Sequence, residues 1–189
     1  HYCILTKNDK NNKIIFDKDL NNIKFDSIIL NNNSEFIRFA GSTNDSTYKN
    51  LKVSFNSVDL GKLVPKIDNL NLKGIVNGNL NILQRKGLYY PSSNITIDAI
   101  DFNKTPLGNM VIDIKGNNEL TRYDLITTLT NNNIKSINST GYIDASNDKA
   151  KIDLDVALNK FNLTTISPFG GNVISDIRGF LSGNSKVSG

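Results

Sequence analysis

The chain has few of the side chains from which most enzyme sites are built. Among its 189 residues there are one histidine, His1, one cysteine, Cys3, and no tryptophan. A single cysteine excludes a disulfide within the chain. A solitary terminal histidine leaves no Ser-His-Asp or Cys-His arrangement, and one histidine with one cysteine is too small a set for a zinc site. The composition therefore predicts a protein that is not an enzyme and that uses no metal or cofactor.

Long apolar runs and concentrated charge are also missing. No stretch approaches the ~18 consecutive apolar residues of a membrane-spanning helix. The net charge of +4 is spread along the chain, whereas nucleic-acid-binding proteins gather Lys and Arg on one face, so we expect no nucleic-acid partner. The chain begins at His1 without a methionine or signal peptide, and we expect it to be a piece of a longer protein.

What the chain does have is alternation of apolar and polar residues, which is the strand period. Leu51, Val53 and Phe55 alternate with Lys52 and Ser54. Similar short runs occur at residues 14–16, 23–29, 37–39, 80–82, 95–97, 112–114 and 152–158. Clusters of Asn, Gly, Asp and Ser bound them, as hairpin turns would. The pattern predicts an all-β protein: an elongated, curled antiparallel sheet of about fifteen strands with six to eight residues each.

One passage of the sequence is repeated. Residues 51–65 read LKVSFNSVDLGKLVP and residues 154–168 read LDVALNKFNLTTISP. The similarity extends back to residues 30–41 and 129–141, and forward to LKGIVNGNLNI at 72–82 and IRGFLSGNSKV at 177–187. We call residues 30–82 the first copy and residues 129–187 the second copy. The period of about 100 residues predicts tandem modules, divided here into 1–87 and 88–189, that pack against flanking modules of the same chain.

Each copy also carries one short segment that departs from the strand pattern. In the first copy, residues 59–70 have helical spacing after a capping Asp59, and Pro65 limits the helix to a short turn. In the second copy, Asn162 and Pro168 hold the corresponding positions. Four glycines, Gly74, Gly78, Gly179 and Gly183, are predicted to be structural, because glycine accommodates a bend or bulge within a strand. We expect each copy to insert a short helical plug between strands.

Candidate sites for chemistry are weak. Acidic pairs occur at Asp153/Asp155 and Asp98/Asp101, and alternation on the polar side of a strand explains the first pair. The glycines lack the Lys-Ser/Thr tail of a phosphate loop. The remaining candidate is the apolar side of the sheet, which predicts an interior groove for a lipid tail or an unfolded strand. Alternation is the same for an open groove and for a sealed core, so both remain open. The candidate groove-lining residues are Leu51, Val53, Phe55, Ile95, Ile97, Ile112, Ile114, Ile152, Leu154, Val156 and Leu158.

Both copies resemble a known family. The passages VDLGKLVP with LKGIVNGNLNI, and FNLTTISPFGG with IRGFLSGNSKVSG, are similar to the TamB family of AsmA-like proteins in the Gram-negative envelope. The resemblance implies a taco-like β-sheet with an apolar interior, in the periplasm, anchored to the inner membrane by a segment that this sequence does not contain. It also implies phospholipid transport between the two membranes, or outer-membrane protein assembly with a TamA-like barrel. The partners would then be phospholipid acyl chains or nascent outer-membrane β-strands.

A different class of function fits some of the same features. Asn fills 30 positions, and richness in Asn together with tandem modules also suits a secreted or surface β-solenoid that binds glycans or mediates adhesion. That alternative predicts a polar binding face and a fully closed core. A β-helix enzyme acting on carbohydrate would need a cluster of acids on one polar face, which the sequence does not show.

Overall fold

The computed structural model describes residues 3–4, 14–19, 21–44, 47–64, 71–147, 149–165 and 177–189. Within these ranges the chain forms twelve strands and one short helix. They are β1 (Cys3–Ile4), β2 (Ile14–Phe16), β3 (Asn22–Asn32), β4 (Glu35–Asn44), β5 (Tyr48–Asp59), α1 (Leu60–Leu63), β6 (Leu72–Arg85), β7 (Leu88–Phe102), β8 (Thr105–Gly116), β9 (Arg122–Asn131), β10 (Ile134–Asp144), β11 (Lys151–Asn162) and β12 (Phe180–Ser188). The all-β prediction is confirmed.

All twelve strands belong to one antiparallel sheet. From β3 to β12 each strand pairs with the next one in the chain, and β1 and β2 both pair with the outer edge of β3. The sheet is therefore open, with β12 at one edge and β1 and β2 at the other. The accessible surface of 12723 Å² is well above the about 9000 Å² expected for a compact protein of this mass. An elongated, open, curled sheet accounts for the difference.

The strands are fewer and longer than the short runs predicted. β6 has 14 residues and β7 has 15, against the six to eight expected, because polar residues that resemble turns lie inside strands. Asn77, Gly78 and Asn79, for example, are in the middle of β6. The sequence pattern breaks at such positions while the backbone pairing continues, since a β-bulge absorbs the irregular residue without ending the strand.

Three bulges have the same construction, in β5, β7 and β11. In each, two residues face one on the next strand, and the second of the two has positive φ: Ser57 (φ 52°), Ala99 (φ 50°) and Lys160 (φ 48°). Their backbone N–H groups donate to a side chain of the next strand, namely Asn77 Oδ1 (2.8 Å), Asn109 Oδ1 (2.8 Å) and Ser182 Oγ (2.9 Å). Bulges bend a strand and increase its local twist, so these three curl the sheet near the same end.

The short helical segment of each copy follows its bulge. In the first copy, Asp59 Oδ1 accepts a hydrogen bond from the Gly61 N–H (2.9 Å) and α1 begins at Leu60. In the second copy, Asn162 Oδ1 accepts from the Thr164 N–H (3.0 Å), and residues 163–165 form one 3₁₀ turn. The predicted Asp59 cap is confirmed. The prolines predicted to limit these segments, Pro65 and Pro168, lie outside the described residues.

The core is small and lies at the end of the sheet where α1 is found. Its buried members are Ile37, Val58, Leu60, Val76, Ile97, Ile100 and Leu129. α1 packs on β5 and β6 and contributes Leu60, which is 9% exposed. The predicted boundary between residues 87 and 88 falls in the β6–β7 turn, and these two strands pair across the boundary within one sheet. Division into two modules stays a prediction.

Candidate functional site

The pairing register places the apolar side chains of β5 to β12 in four rows that run across the strands. Residues directly opposite each other in antiparallel strands share a face of the sheet. Row 1 contains Leu51, Ile82, Pro91, Gly116, Tyr123, Ile143 and Ile152. Row 2 contains Val53, Leu80, Ser93, Ile114, Leu125, Gly141, Leu154 and Val187. Row 3 contains Phe55, Gly78, Ile95, Ile112, Thr127, Ser139, Val156 and Ser185. Row 4 contains Val58, Val76, Ile97, Met110, Leu129, Ile137, Leu158 and Gly183.

We call the surface made by these rows the apolar face. It includes every residue predicted from the sequence to line a groove. Leu51 and Ile152 are in row 1; Val53, Ile114 and Leu154 in row 2; Phe55, Ile95, Ile112 and Val156 in row 3; Ile97 and Leu158 in row 4. Of these, Ile97 is buried and Ile152 is exposed, and the other nine are half-buried. The structure brings the predicted residues together on one surface; whether that surface binds a guest stays a prediction.

The apolar side chains of row 4 are more buried than those of rows 1 and 2. In row 4, Val58 is 0% exposed and Leu129 is 1% exposed. In rows 1 and 2, Ile82 and Leu80 are each 39% exposed and Val187 is 49% exposed. The strands all cross the same rows, so one end of the apolar face is covered and the other is accessible.

Several residues of the apolar face were not predicted from the sequence to line a groove. Leu129 is one of the two most buried large side chains, yet its neighbours in the sequence are threonines. The apolar members of the rows that were not predicted to line the groove are Val58, Val76, Leu80, Ile82, Pro91, Met110, Tyr123, Leu125, Leu129, Ile137, Ile143 and Val187. Alternation in β9 puts Leu125 and Leu129 on one face, although Ile126 interrupts the pattern, and the burial of Leu129 comes from neighbouring strands.

Two hydroxyl groups stand within the apolar face. Ser93 in row 2 and Ser139 in row 3 are buried, and their Oγ atoms have no hydrogen-bond partner among the described residues. A buried polar group without a partner is uncommon in proteins. Both hydroxyls therefore lie unpaired among the apolar side chains of the rows.

The opposite surface, which we call the polar face, is mostly polar, although Val111 and Ile126 are exposed on it, and its polar side chains bond across neighbouring strands. Ser54 Oγ donates to Asn79 Oδ1 (2.8 Å), and Asn94 Nδ2 donates to Asp113 Oδ1 (2.6 Å). Such cross-strand pairs on one face stabilise a sheet. This accounts for part of the Asn content without a catalytic role.

The acidic pairs singled out in the sequence make local contacts of the same kind. Lys186 Nζ lies 3.0 Å from Asp153 Oδ1, and the hydrogen bond that Lys186 donates to Asp153 raises the pKa of Lys186. Asp98 accepts from Asn77 Nδ2 (3.3 Å), and Asp101 accepts from the Lys104 N–H (2.9 Å). Over the described ranges, His, Cys, Asp and Glu do not come together in a group of three or more that would hold a metal ion.

The four predicted glycines lie in or directly before the last strand of each copy, β6 or β12. Gly78 pairs with Phe55 immediately before the β5 bulge, and Gly183 pairs with Leu158 immediately before the β11 bulge. Gly74 is buried in β6, and Gly179 directly precedes β12. The structural role expected of them, a bend or bulge in a strand, stays a prediction.

Among the residues placed by the structure, no helix has the length and apolar character needed to cross a bilayer. At a significant level, the chain matches no protein-family model, no curated protein and no solved structure. The TamB resemblance therefore depends on the sequence passages that suggested it.

Proposed function

We propose that the protein is a non-enzymatic scaffold of the Gram-negative envelope that shelters apolar guests on the apolar face of its sheet. The observation that carries this proposal is a one-layer, open sheet on which the apolar side chains of rows 1 to 3 are half-buried or exposed from β5 to β12, while row 4 is largely buried. Soluble proteins rarely leave a continuous apolar surface of this kind uncovered, and larger exposed patches mark sites for a partner, a membrane or a ligand.

The dimensions suit an acyl chain. Seven strand spacings of about 4.8 Å separate β5 from β12, so the rows extend about 34 Å. One leaflet accounts for about 15 Å of the ~30 Å hydrocarbon core of a bilayer, so a lipid tail fits along a row. Each methylene removed from water contributes about 0.8 kcal/mol, and a chain of a dozen methylenes therefore gains about 10 kcal/mol before the costs of binding.

On this proposal the protein acts in the periplasm, in phospholipid transport between the inner and outer membranes, in outer-membrane protein assembly, or in both. An unfolded outer-membrane strand has alternating apolar residues that fit the same rows, and a TamA-like barrel would be its acceptor. An inner-membrane anchor and further modules of the same chain would hold the sheet between the membranes. The TamB resemblance is the support for these partners and for this location.

Glycan binding is a second candidate, favoured by one feature of the polar face. A depression of about 560 Å³ contains the rings of Tyr48 and Tyr90 together with the cationic side chains of Arg85 and Lys115. Rings and cations of this kind would contact a charged saccharide. The surface β-solenoid that we considered from sequence requires a fully closed core, however, and an open apolar face favours the first proposal.

The experiment compares a charge on each face of one strand. Val156 lies in row 3, and Ala157, the next residue of β11, is exposed on the polar face. We expect the full chain to copurify with lipid detectable by mass spectrometry and to take up a fluorescent acyl probe. Val156→Asp should lower probe uptake about tenfold, because an unpaired charge disfavours contact with an acyl chain.

The matched control is Ala157→Asp, which should leave uptake unchanged. Circular dichroism melting of both variants tests the fold. If Val156→Asp unfolds the chain while Ala157→Asp does not, β11 belongs to a sealed core and the proposal is wrong. Absence of both lipid and probe uptake in the wild-type chain would also overturn it.

A further inference from the structure

A cavity of about 520 Å³ lies just past row 4 in the second copy, at the same end of the sheet as α1. We call it the end cavity. The lining residues on which the inference depends are Leu129, Ile134, Phe161, Phe180, Lys160 and Asn162. Its volume is within the ~300–1000 Å³ range of pockets that hold small molecules.

The first copy is covered at the matching place. There α1 packs on β5 and β6, and Lys62 Nζ of α1 lies 2.6 Å from Glu35 Oε1 at the start of β4. The second copy has Thr165 where the first has Lys62, and Lys135 where it has Glu35. This ion pair therefore has no equivalent in the second copy.

The floor of the end cavity is apolar and partly uncovered. Leu129, which is 1% exposed, and the half-buried Phe161 form its base. Two further apolar side chains stay in contact with solvent, Ile134 at 37% and Phe180 at 73% exposed. An aromatic ring exposed to this degree beside an apolar cavity is available to cover a guest.

The polar lining is cationic and amide-bearing. Lys160 and three asparagines, Asn131, Asn132 and Asn162, line the cavity, and none of the described lining residues is acidic. Lys160 is also the bulge residue with φ 48°, and its backbone N–H is held by Ser182 Oγ (2.9 Å). In the first copy the same bulge position is Ser57, so the positive charge is a property of the second copy alone.

We propose that the end cavity binds the head of an amphiphile with an anionic head group and one extended acyl chain. Lys160 and the asparagine amides contact the anion, while the chain lies beside Leu158 and Val156 on the apolar face. This inference rests on the proposed function and adds to it a defined site and a preference for negative charge.

The test compares dodecanoate with 1-dodecanol, which have the same chain length and differ in head-group charge. In calorimetric titration at low salt, we expect the wild-type chain to bind dodecanoate about tenfold more tightly than 1-dodecanol. Lys160→Asn should reduce this preference to twofold or less. Asn is the suitable replacement because it tolerates positive φ better than most residues, so the bulge is retained.

Two further variants separate charge at the site from other effects. Lys151→Asn removes an exposed lysine at the opposite end of the same strand and should keep the tenfold preference. Phe180→Ser should weaken both ligands about threefold, because the ring covers the cavity without contacting the charge selectively.

The outcomes distinguish this inference from the proposed function. If both ligands bind equally, or if Lys160→Asn and Lys151→Asn change the preference by the same amount, the head-group site is wrong while sheltering of apolar guests stands. If neither ligand binds the wild-type chain, both proposals fail.

Discussion

The two copies of the repeat share a backbone plan and differ in how their ends are covered. Ser57 and Lys160 occupy equivalent bulges, and Asp59 and Asn162 make equivalent side-chain caps two residues later. Val58 is nevertheless 0% exposed, whereas its counterpart Phe161 is half-buried beside a cavity. Local hydrogen bonds set the bulge and the cap. Whether the apolar residues beside them are buried depends on the elements that pack over that end of the sheet.

A second difference comes from position in the sheet. β6, in the first copy, has strands on both sides, β5 and β7. β12, its counterpart in the second copy, pairs only with β11 among the described strands. The same sequence motif is therefore enclosed in one copy and exposed in the other, and the effects of matched substitutions should differ accordingly.

The largest expected effect is at the paired glycines. Gly78 has φ 125°, and a Cβ there would overlap the Asn94 carbonyl oxygen of β7; at Gly183, with φ 152°, a Cβ would meet no atom of the described residues within 4 Å. We expect Gly78→Ala to lower the free energy of unfolding by about 3 kcal/mol, since it combines backbone strain with a clash. Gly183→Ala should cost about 1 kcal/mol from strain alone.

Urea denaturation of the two variants measures this difference. Equal losses would mean that a strand covers the free side of β12 in solution as β7 covers β6. The conclusion that β6 is enclosed while β12 is exposed on one side would then be wrong.

A smaller effect is expected at the ion pair that fixes α1. The Glu35 side chain is 18% exposed and the Lys62 side chain 31% exposed, and pairs that solvent reaches contribute about 0.5 kcal/mol. Glu35→Gln should therefore lower the free energy of unfolding by about 0.5 kcal/mol at low salt. The loss should vanish near 1 M salt, where the screening length falls to ~3 Å.

Glu119, an exposed residue of the β8–β9 turn, provides the control for charge. Glu119→Gln should change stability at neither salt concentration. If Glu35→Gln has no effect at low salt, the pair does not hold α1, and the cover of the first copy depends on apolar packing alone.

The smallest expected effect is the change in stability at acid pH that comes from Asp144. Hydrogen bonds from Ser146 lower the pKa of Asp144, at the end of β10, below its usual 3.8; the equivalent residue of β4 is Asn44, which does not titrate. Because the folded pKa is the lower one, this contribution to stability is present above pH 3.8 and is lost as the pH falls through the folded value. We therefore expect this acid-dependent loss of stability at Asp144 in the second copy and no equivalent loss at Asn44 in the first copy.

Amide NMR checks this prediction. The Ser146 amide resonance should titrate below pH 3.8 in the wild-type chain and should not titrate in Asp144→Asn. A midpoint at or above 3.8 would contradict the hydrogen bond from Ser146 to the carboxylate.

Much of the fold was predictable from the alternation of apolar and polar residues along each strand. Leu51, Val53 and Phe55 alternate with polar residues, and the two-residue period of a strand places them on one face whatever lies opposite. The bulges were less accessible, since nothing in the types of Ser57 or Lys160 requires positive φ. Leu129 was missed for a related reason, because its burial comes from neighbouring strands and not from its own sequence context.

The sequence by itself determined the strand period, the common face of the predicted residues and the side-chain cap at Asp59. Only the tertiary structure decided that the sheet is a single open layer, and that Ile97 is 8% exposed while Ile152, with the same local pattern, is 39% exposed. The physical reason is that alternation follows from backbone geometry within one strand. Exposure depends on side chains that are distant in the sequence and close in space.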